Sequence, residues 1–125
     1  MNAHEIGKHK IQWSADLDEI FDPVLGPDLA VIRAEVRAGV SEVFYFPGHG
    51  HAITRIENYE AARGEFVLVA AAGRDVGALL PAFVDYARAA GLAGIRWHCD
   101  RPGVYRLAER LGFIERSREY FYRVD

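Results

Sequence analysis

Glu65-Phe66-Val67-Leu68-Val69-Ala70-Ala71-Ala72-Gly73-Arg74-Asp75-Val76-Gly77-Ala78-Leu79-Leu80-Pro81 carries the strongest structural signal in the chain. Its first part, Glu65 to Ala71, is apolar on both faces, as a strand covered on each side must be. Beyond Gly73 the period changes. Val76, Leu79, Leu80, Phe83, Val84, Ala87 and Ala90 recur at the i, i+3, i+4, i+7, i+8, i+11 and i+14 positions of one helical face, and Gly91 ends the pattern. Pro81 lies inside it, and the carbonyl its ring would crowd belongs to Gly77, so the spacing predicts one kinked helix rather than two.

Upstream, Asn58 to Gly64 is polar enough to turn, and His51 to Glu57 alternates as a half-buried strand does. Val43-Phe44-Tyr45-Phe46 is a β-branched and aromatic strand ended by Pro47-Gly48. Three consecutive strands with short turns imply an antiparallel meander. Before them, Lys10 to Trp13 reads as a strand, and Ser14 can cap a helix carrying Leu17, Ile20 and Phe21, ended by Pro23, Gly26 and Pro27. Asp28 opens a second helix with Leu29, Ile32 and Val36 on one face, and Gly39 stops it. Downstream, Gly94 to Cys99 is a strand, and a helix starts at Pro102 with Val104, Leu107, Ala108 and Leu111 inward and Gly112 at its end. Phe113 to Ile114 and Glu119 to Val124 supply the last extended pieces.

The chain has 125 residues, enough for one core and too few for two, so a single domain over residues 1–125 is expected. Hydrophobic residues make up 50% and charged residues 26%, the balance of a globule rather than of a disordered tail. No apolar run approaches the ~20 residues of a bilayer span, and the charged stretch Met1 to Lys10 is unlike a secretory signal. Cys99 is the single cysteine, which rules out an internal disulfide, so the expected address is cytoplasmic. A net charge of −3 gives no general attraction to nucleic acid, and the C-terminal arginines alternate with Glu109, Glu115 and Glu119 as on a solvated face. No metal site is expected: His49, His51, His98 and Cys99 lack a specific ligand spacing, and His98 and Cys99 point to opposite faces of a strand. Cys99 reads as a buried structural thiol.

The element order is thus β, α, α, β, β, β, α, β, α, β, with one further strand at the end. That order, with Tyr105-Arg106-Leu107-Ala108-Glu109-Arg110-Leu111-Gly112-Phe113 as a late helix running into a Leu-Gly-Phe turn, resembles the GNAT superfamily of acyl-CoA-dependent N-acyltransferases. The resemblance implies an α/β (α+β) fold, a mixed and mainly antiparallel twisted sheet of six or seven strands flanked by about four helices. It also implies acetyl-CoA or another acyl-CoA as co-substrate, with its diphosphate on backbone N–H groups at the start of the central helix, where a positive dipole end and glycines favour anions. The matching segment contributes Gly73, Arg74, Val76, Gly77 and Ala78. Leu79 stands at the sixth place of the family's loop pattern, and Asp75 puts a negative charge nearby. An ordinary strand-to-helix turn accounts for the same glycines.

The family's tyrosine, four residues before the glycine of Leu-Gly-Phe, is replaced by Ala108, which leaves Tyr105 as the candidate acid for the departing thiolate. Its alternative is a boundary aromatic packed on the sheet. The resemblance further suggests His51 or Glu57 as general base, with Glu65 also in reach, and the N–H groups of Leu68, Val69 and Ala70 as oxyanion donors. Histidine needs the least perturbation to accept a proton near neutrality. Its bland alternative is a turn residue beside Gly48 and Gly50. The implied acceptor is an amine of a small molecule or protein. The alternative function is a binding or assembly module of the same fold without acyl transfer. Tyr120, Phe121 and Tyr122 would cover both faces of the terminal strand, and a homodimer contact would supply the cover.

Overall fold

The computed structural model describes residues 8–59, 62–98, 102–116, 120 and 122–124. Its elements run β1 (His9–Ile11), α1 (Ala15–Leu25), α2 (Leu29–Arg37), β2 (Glu42–Phe46), β3 (Gly50–Tyr59), β4 (Ala62–Ala72), α3 (Leu80–Ala89), β5 (Gly94–Trp97) and α4 (Pro102–Arg110). The strands form one sheet in sequence order, antiparallel from β1 to β4, with β5 parallel to β4. The expected meander is therefore present, and α3 is the crossover that a parallel neighbour requires.

Side-chain alternation divides the apolar residues between two faces. On one, Leu17 and Phe21 of α1 pack on Val43, Ile53 and Ala70, with Ile32 and Val36 of α2 alongside. On the other, Leu80, Phe83 and Ala87 of α3 cover Phe44, Phe46, Ala52 and Phe66, and Leu107 of α4 and Phe113 close the end. Arg33 and Trp13 both donate to Asp18 Oδ1, at 2.8 and 3.0 Å, tying α2 and the chain entering α1 together. Lys8 Nζ lies 4.2 Å from the Phe44 ring centre and 4.1 Å from that of Tyr86, a cation–π link between the β1 end and α3.

Three expectations need correction. The segment predicted as one kinked helix is a 3-10 turn over Val76–Leu79 followed by α3, with Pro81 in the first turn. There the missing N–H has no helical partner to lose, so proline starts the helix instead of bending it. α1 continues past Pro23 to Leu25, because one lost donor close to a helix end is tolerated, and Gly26 closes it by donating to the Asp22 carbonyl. The sheet has five strands among the described residues, fewer than expected: residues 113–116, 120 and 122–124 form none, and Glu119 and Phe121 lie outside the described residues. No described helix is long and apolar enough to cross a membrane.

The start of β3 and the end of β4 approach too closely for side chains. A Cβ on Gly50, at φ +134°, would run into the Ala72 carbonyl, and one on Gly73 into the His49 carbonyl, whereas one on Gly94 would meet nothing within 4 Å. Gly50→Ala is expected to destabilise the fold by more than ~1 kcal/mol and Gly94→Ala by less than ~0.5 kcal/mol. Phe21→Ala, which empties a site of 0% exposure, should cost about 3–5 kcal/mol. Urea unfolding of the three variants checks the ranking.

Candidate functional site

β4 is paired on both edges only in part. Its ladder with β5 runs Glu65↔Gly94, Phe66↔Ile95, Val67↔Arg96 and Leu68↔Trp97, and stops there. On the other edge, β3 continues through Ile53↔Ala70, Ala52↔Ala71 and His51↔Ala72. The register shifts at the same level, since Thr54 pairs with Leu68 and Ile53 with Ala70, leaving Val69 as an extra residue. This is a β-bulge, which bends its strand and increases the local twist. Val69 and Ala70 both pack toward the α1 face, as an inserted residue requires. Among the described residues, Val69 to Ala72 thus have no strand partner on the β5 side, and the sheet is open there beside the loop that enters α3.

That loop is held by packing within the protein. Gly73 lies against the His49–Gly50 backbone. The Asp75 N–H points to the His49 carbonyl at 3.5 Å, and Asp75 Oδ2 is 3.5 Å from His49 Nδ1, so its carboxylate faces an imidazole. A Cβ on Gly77 would stand 2.7 Å from Leu107 Cδ2, which gives this glycine a reason other than admitting Pro81: α4 packs directly on it. Ala78 donates to the Asp75 carbonyl at 3.2 Å. Gly73, Arg74 and Asp75 are exposed, while Gly77 and Ala78 are half-buried. An exposed arginine and a turn at a helix entrance suit a diphosphate; the two glycines are already backed by protein atoms, and the fit to acyl-CoA is partial.

The candidate bases separate. His51 pairs with Ala72 at the open end, half-buried, with its ring 6.3 Å from Phe21, edge-on, and 5.0 Å from Tyr45. Burial among these groups lowers its pKa below the ordinary imidazole value. Glu57 is six positions along β3, about 20 Å away at strand rise. It pairs with Glu65 at the closed end, so the structure does not bring these carboxylates to the bulge with His51. Tyr105 belongs to α4, and its side chain, like that of Val76, lies outside the described residues, as does Cys99.

A group that sequence reasoning missed surrounds the two glutamates. Arg55 donates to Glu57 Oε1 from Nε and Nη2 at 3.1 and 2.9 Å, and Arg96 Nη2 donates to Glu57 Oε2. Arg116 Nη1 donates to Glu65 Oε2 at 2.7 Å, and Arg55 Nη1 reaches Glu35 Oε2 on α2 at 3.4 Å. The available signal was the i, i+2 spacing of Arg55 and Glu57, which puts opposite charges on one face of a strand.

No protein-family model matches the sequence, and no curated protein matches it. Solved structures do share its fold. A transcriptional regulator from Bacillus halodurans C-125 superposes with a TM-score of 0.68 at 14% identity, over 96% of this chain and 100% of that one. An acetyltransferase from Trypanosoma brucei does so with a TM-score of 0.62 at 17% identity, over 97% and 99%. An aminoglycoside acetyltransferase from an uncultured soil metagenomic sample, in complex with sisomicin, gives 0.62 at 12% identity, over 98% of each chain. Most of these structural neighbours are described as acetyltransferases, and the fold this chain shares with them is consistent with the GNAT-like architecture expected from the sequence.

The lowered pKa of His51 has a pH signature. Unfolded chains take up this proton near the usual value of about 6.5, before the folded protein does. Stability from neutral His51 is therefore complete above that pH and is lost as pH falls from there toward the folded pKa. His51→Phe should show a smaller drop in urea midpoint between about pH 7.5 and 5.5 than the wild type. An identical drop in both would contradict this assignment.

Proposed function

We propose that the protein is an acyl-CoA-dependent N-acyltransferase, with acetyl-CoA as the expected donor and an amine of a small molecule or protein as acceptor. The observation that carries the proposal is the bulge at Val69, next to a β4 edge that has no strand partner among the described residues and leads straight into the Gly73 to Ala78 turn. An unpaired strand edge offers N–H groups in a row, which can hold the thioester oxygen, and it offers a slot for an extended chain. Val69 and Ala70 supply these donors in our reading; Leu68, the third donor expected, is the last rung to Trp97 and closes the paired stretch. Gly73, Arg74, Val76, Gly77 and Ala78 hold the diphosphate, with Arg74 as its charged partner.

The reaction needs little else, because a thioester is already activated. The amine nitrogen bonds to the acyl carbon, the carbon–sulfur bond breaks, His51 takes the amine proton and Tyr105 protonates the thiolate. His51 is preferred to Glu57 as base, since an imidazole with a lowered pKa is neutral at pH 7 and the Glu57 oxygens accept from two guanidinium groups. A cytoplasmic address belongs to the same proposal. So does a homodimer contact over Tyr120, Tyr122 and Val124, which are 87%, 84% and 86% exposed. A second reading, a binding or assembly module without acyl transfer, is favoured by Gly77 lying under Leu107 and by Ala108 where the family has tyrosine.

Titration calorimetry with acetyl-CoA is expected to give saturable binding that Arg74→Glu abolishes. With an amine panel, thiol release should fall at least about tenfold in His51→Ala and in Tyr105→Phe. No heat at millimolar donor would favour the module, and wild-type rates in both variants would remove those two residues from the reaction.

A further inference from the structure

We infer that Arg96 is a positioning residue that sets the opening between β4 and β5, an inference that rests on the acyl-CoA reading of that opening. Glu57 and Glu65 are direct cross-strand partners on β3 and β4, an arrangement that is repulsive when both are ionised. Two residues further along the sheet, Arg55, Val67 and Arg96 form a row across β3, β4 and β5 on the same face. Each arginine bends back toward the carboxylate row. Arg55 serves Glu57 from its own strand, whereas Arg96 reaches across β4, donating from Nη2 to Glu57 and bringing Nε within 3.5 Å of Glu65 Oε1. That second contact is an ion pair without hydrogen-bond geometry. A single guanidinium therefore fastens β5 to both β3 and β4.

β5 needs such a fastening. Its ladder covers four residues of a parallel pair, which is less stable per residue than an antiparallel one. The side chains of Arg96, Glu57 and Glu65 are 34%, 29% and 12% exposed, so their attraction is only partly screened. Arg116 also holds Glu65, and Phe113 packs edge-on against Trp97 at 5.9 Å, bracing β5 from the C-terminal segment.

The clamp acts on one end only. It ties the sheet at the Glu65↔Gly94 and Val67↔Arg96 rows, and the ladder ends one rung later, at Leu68↔Trp97. How tightly this paired end is held governs where the last rung sets Trp97 against Leu68, and so the border of the β4 edge along which an extended donor would lie. Arg96 would touch no donor atom, since its contacts are on the closed side of the bulge.

The test compares wild type, Arg96→Met and Arg96→Lys at a temperature where circular dichroism shows all three folded, using acetyl-CoA calorimetry and amide exchange of Gly94 to Trp97. Arg96→Met, which keeps an apolar stem and loses the charge, is expected to reduce amide protection in β5 and to weaken acetyl-CoA binding about tenfold. Arg96→Lys, which keeps a charge that can reach one carboxylate, is expected to bind between the two. Should Arg96→Met fail to fold, Arg96→Lys against wild type carries the comparison, with weakened donor binding expected. Wild-type affinity in the folded variants, even with lost protection, would overturn the positioning role and leave the acyl-CoA reading intact. No binding by the wild-type protein would overturn that reading, and the inference with it.

Discussion

β4 has two strand partners from Glu65 to Leu68 and, among the described residues, one from Val69 to Ala72, and the change occurs at a single extra residue. The bulge at Val69 turns two successive side chains toward α1, bends the strand, and coincides with the last rung to β5. Everything downstream depends on it. The bent end of β4 comes so close to the start of β3 that both chains carry glycine there, and the loop that follows is tied to His49 before it enters α3. The opening, its loop and the position of His51 thus follow from one irregularity in one strand.

Charge is sorted along the same axis. At the closed end, carboxylates and guanidinium groups neutralise one another across three strands, and the row is continued to α2 through Arg55 and Glu35. At the open end stand an imidazole flanked by rings, an exposed arginine and an aspartate turned toward a second imidazole. A set of paired ions resists water and motion, while a histidine whose pKa is lowered by burial is neutral at pH 7 and can accept a proton. Glu57 and His51 were both candidate bases in the sequence, with histidine needing the smaller perturbation; their surroundings make them different groups.

The order of elements was legible because each rests on a local rule: the i, i+3, i+4 spacing of Leu17, Ile20 and Phe21, the β-branched and aromatic run at Val43 to Phe46, and the proline at the start of α4. The apolar stretch Glu65 to Ala71 also gave the buried strand. Its bulge was not legible, since an inserted residue in an apolar run leaves no break in composition, and register depends on which rung of β3 faces Val69. The 3-10 turn before α3 was missed for a related reason. The helical period of Val76 and Leu79 continues without interruption, and Pro81 marks a helix start only once the hydrogen bonds around it are known. Gly77 was read as room for proline, yet its neighbour is Leu107, thirty positions away, a contact that no local pattern encodes. The Arg96 bridge is hidden in the same way, because it joins residues from three strands.

The central claim is that the free edge of β4 and the turn after it receive the donor. Amide chemical shifts measured during an acetyl-CoA titration test this residue by residue. The account predicts saturable shifts concentrated in Val69 to Ala72 and in Gly73 to Ala78, with the β1 and β2 amides unmoved. Shifts centred elsewhere, or none at millimolar donor, would contradict it.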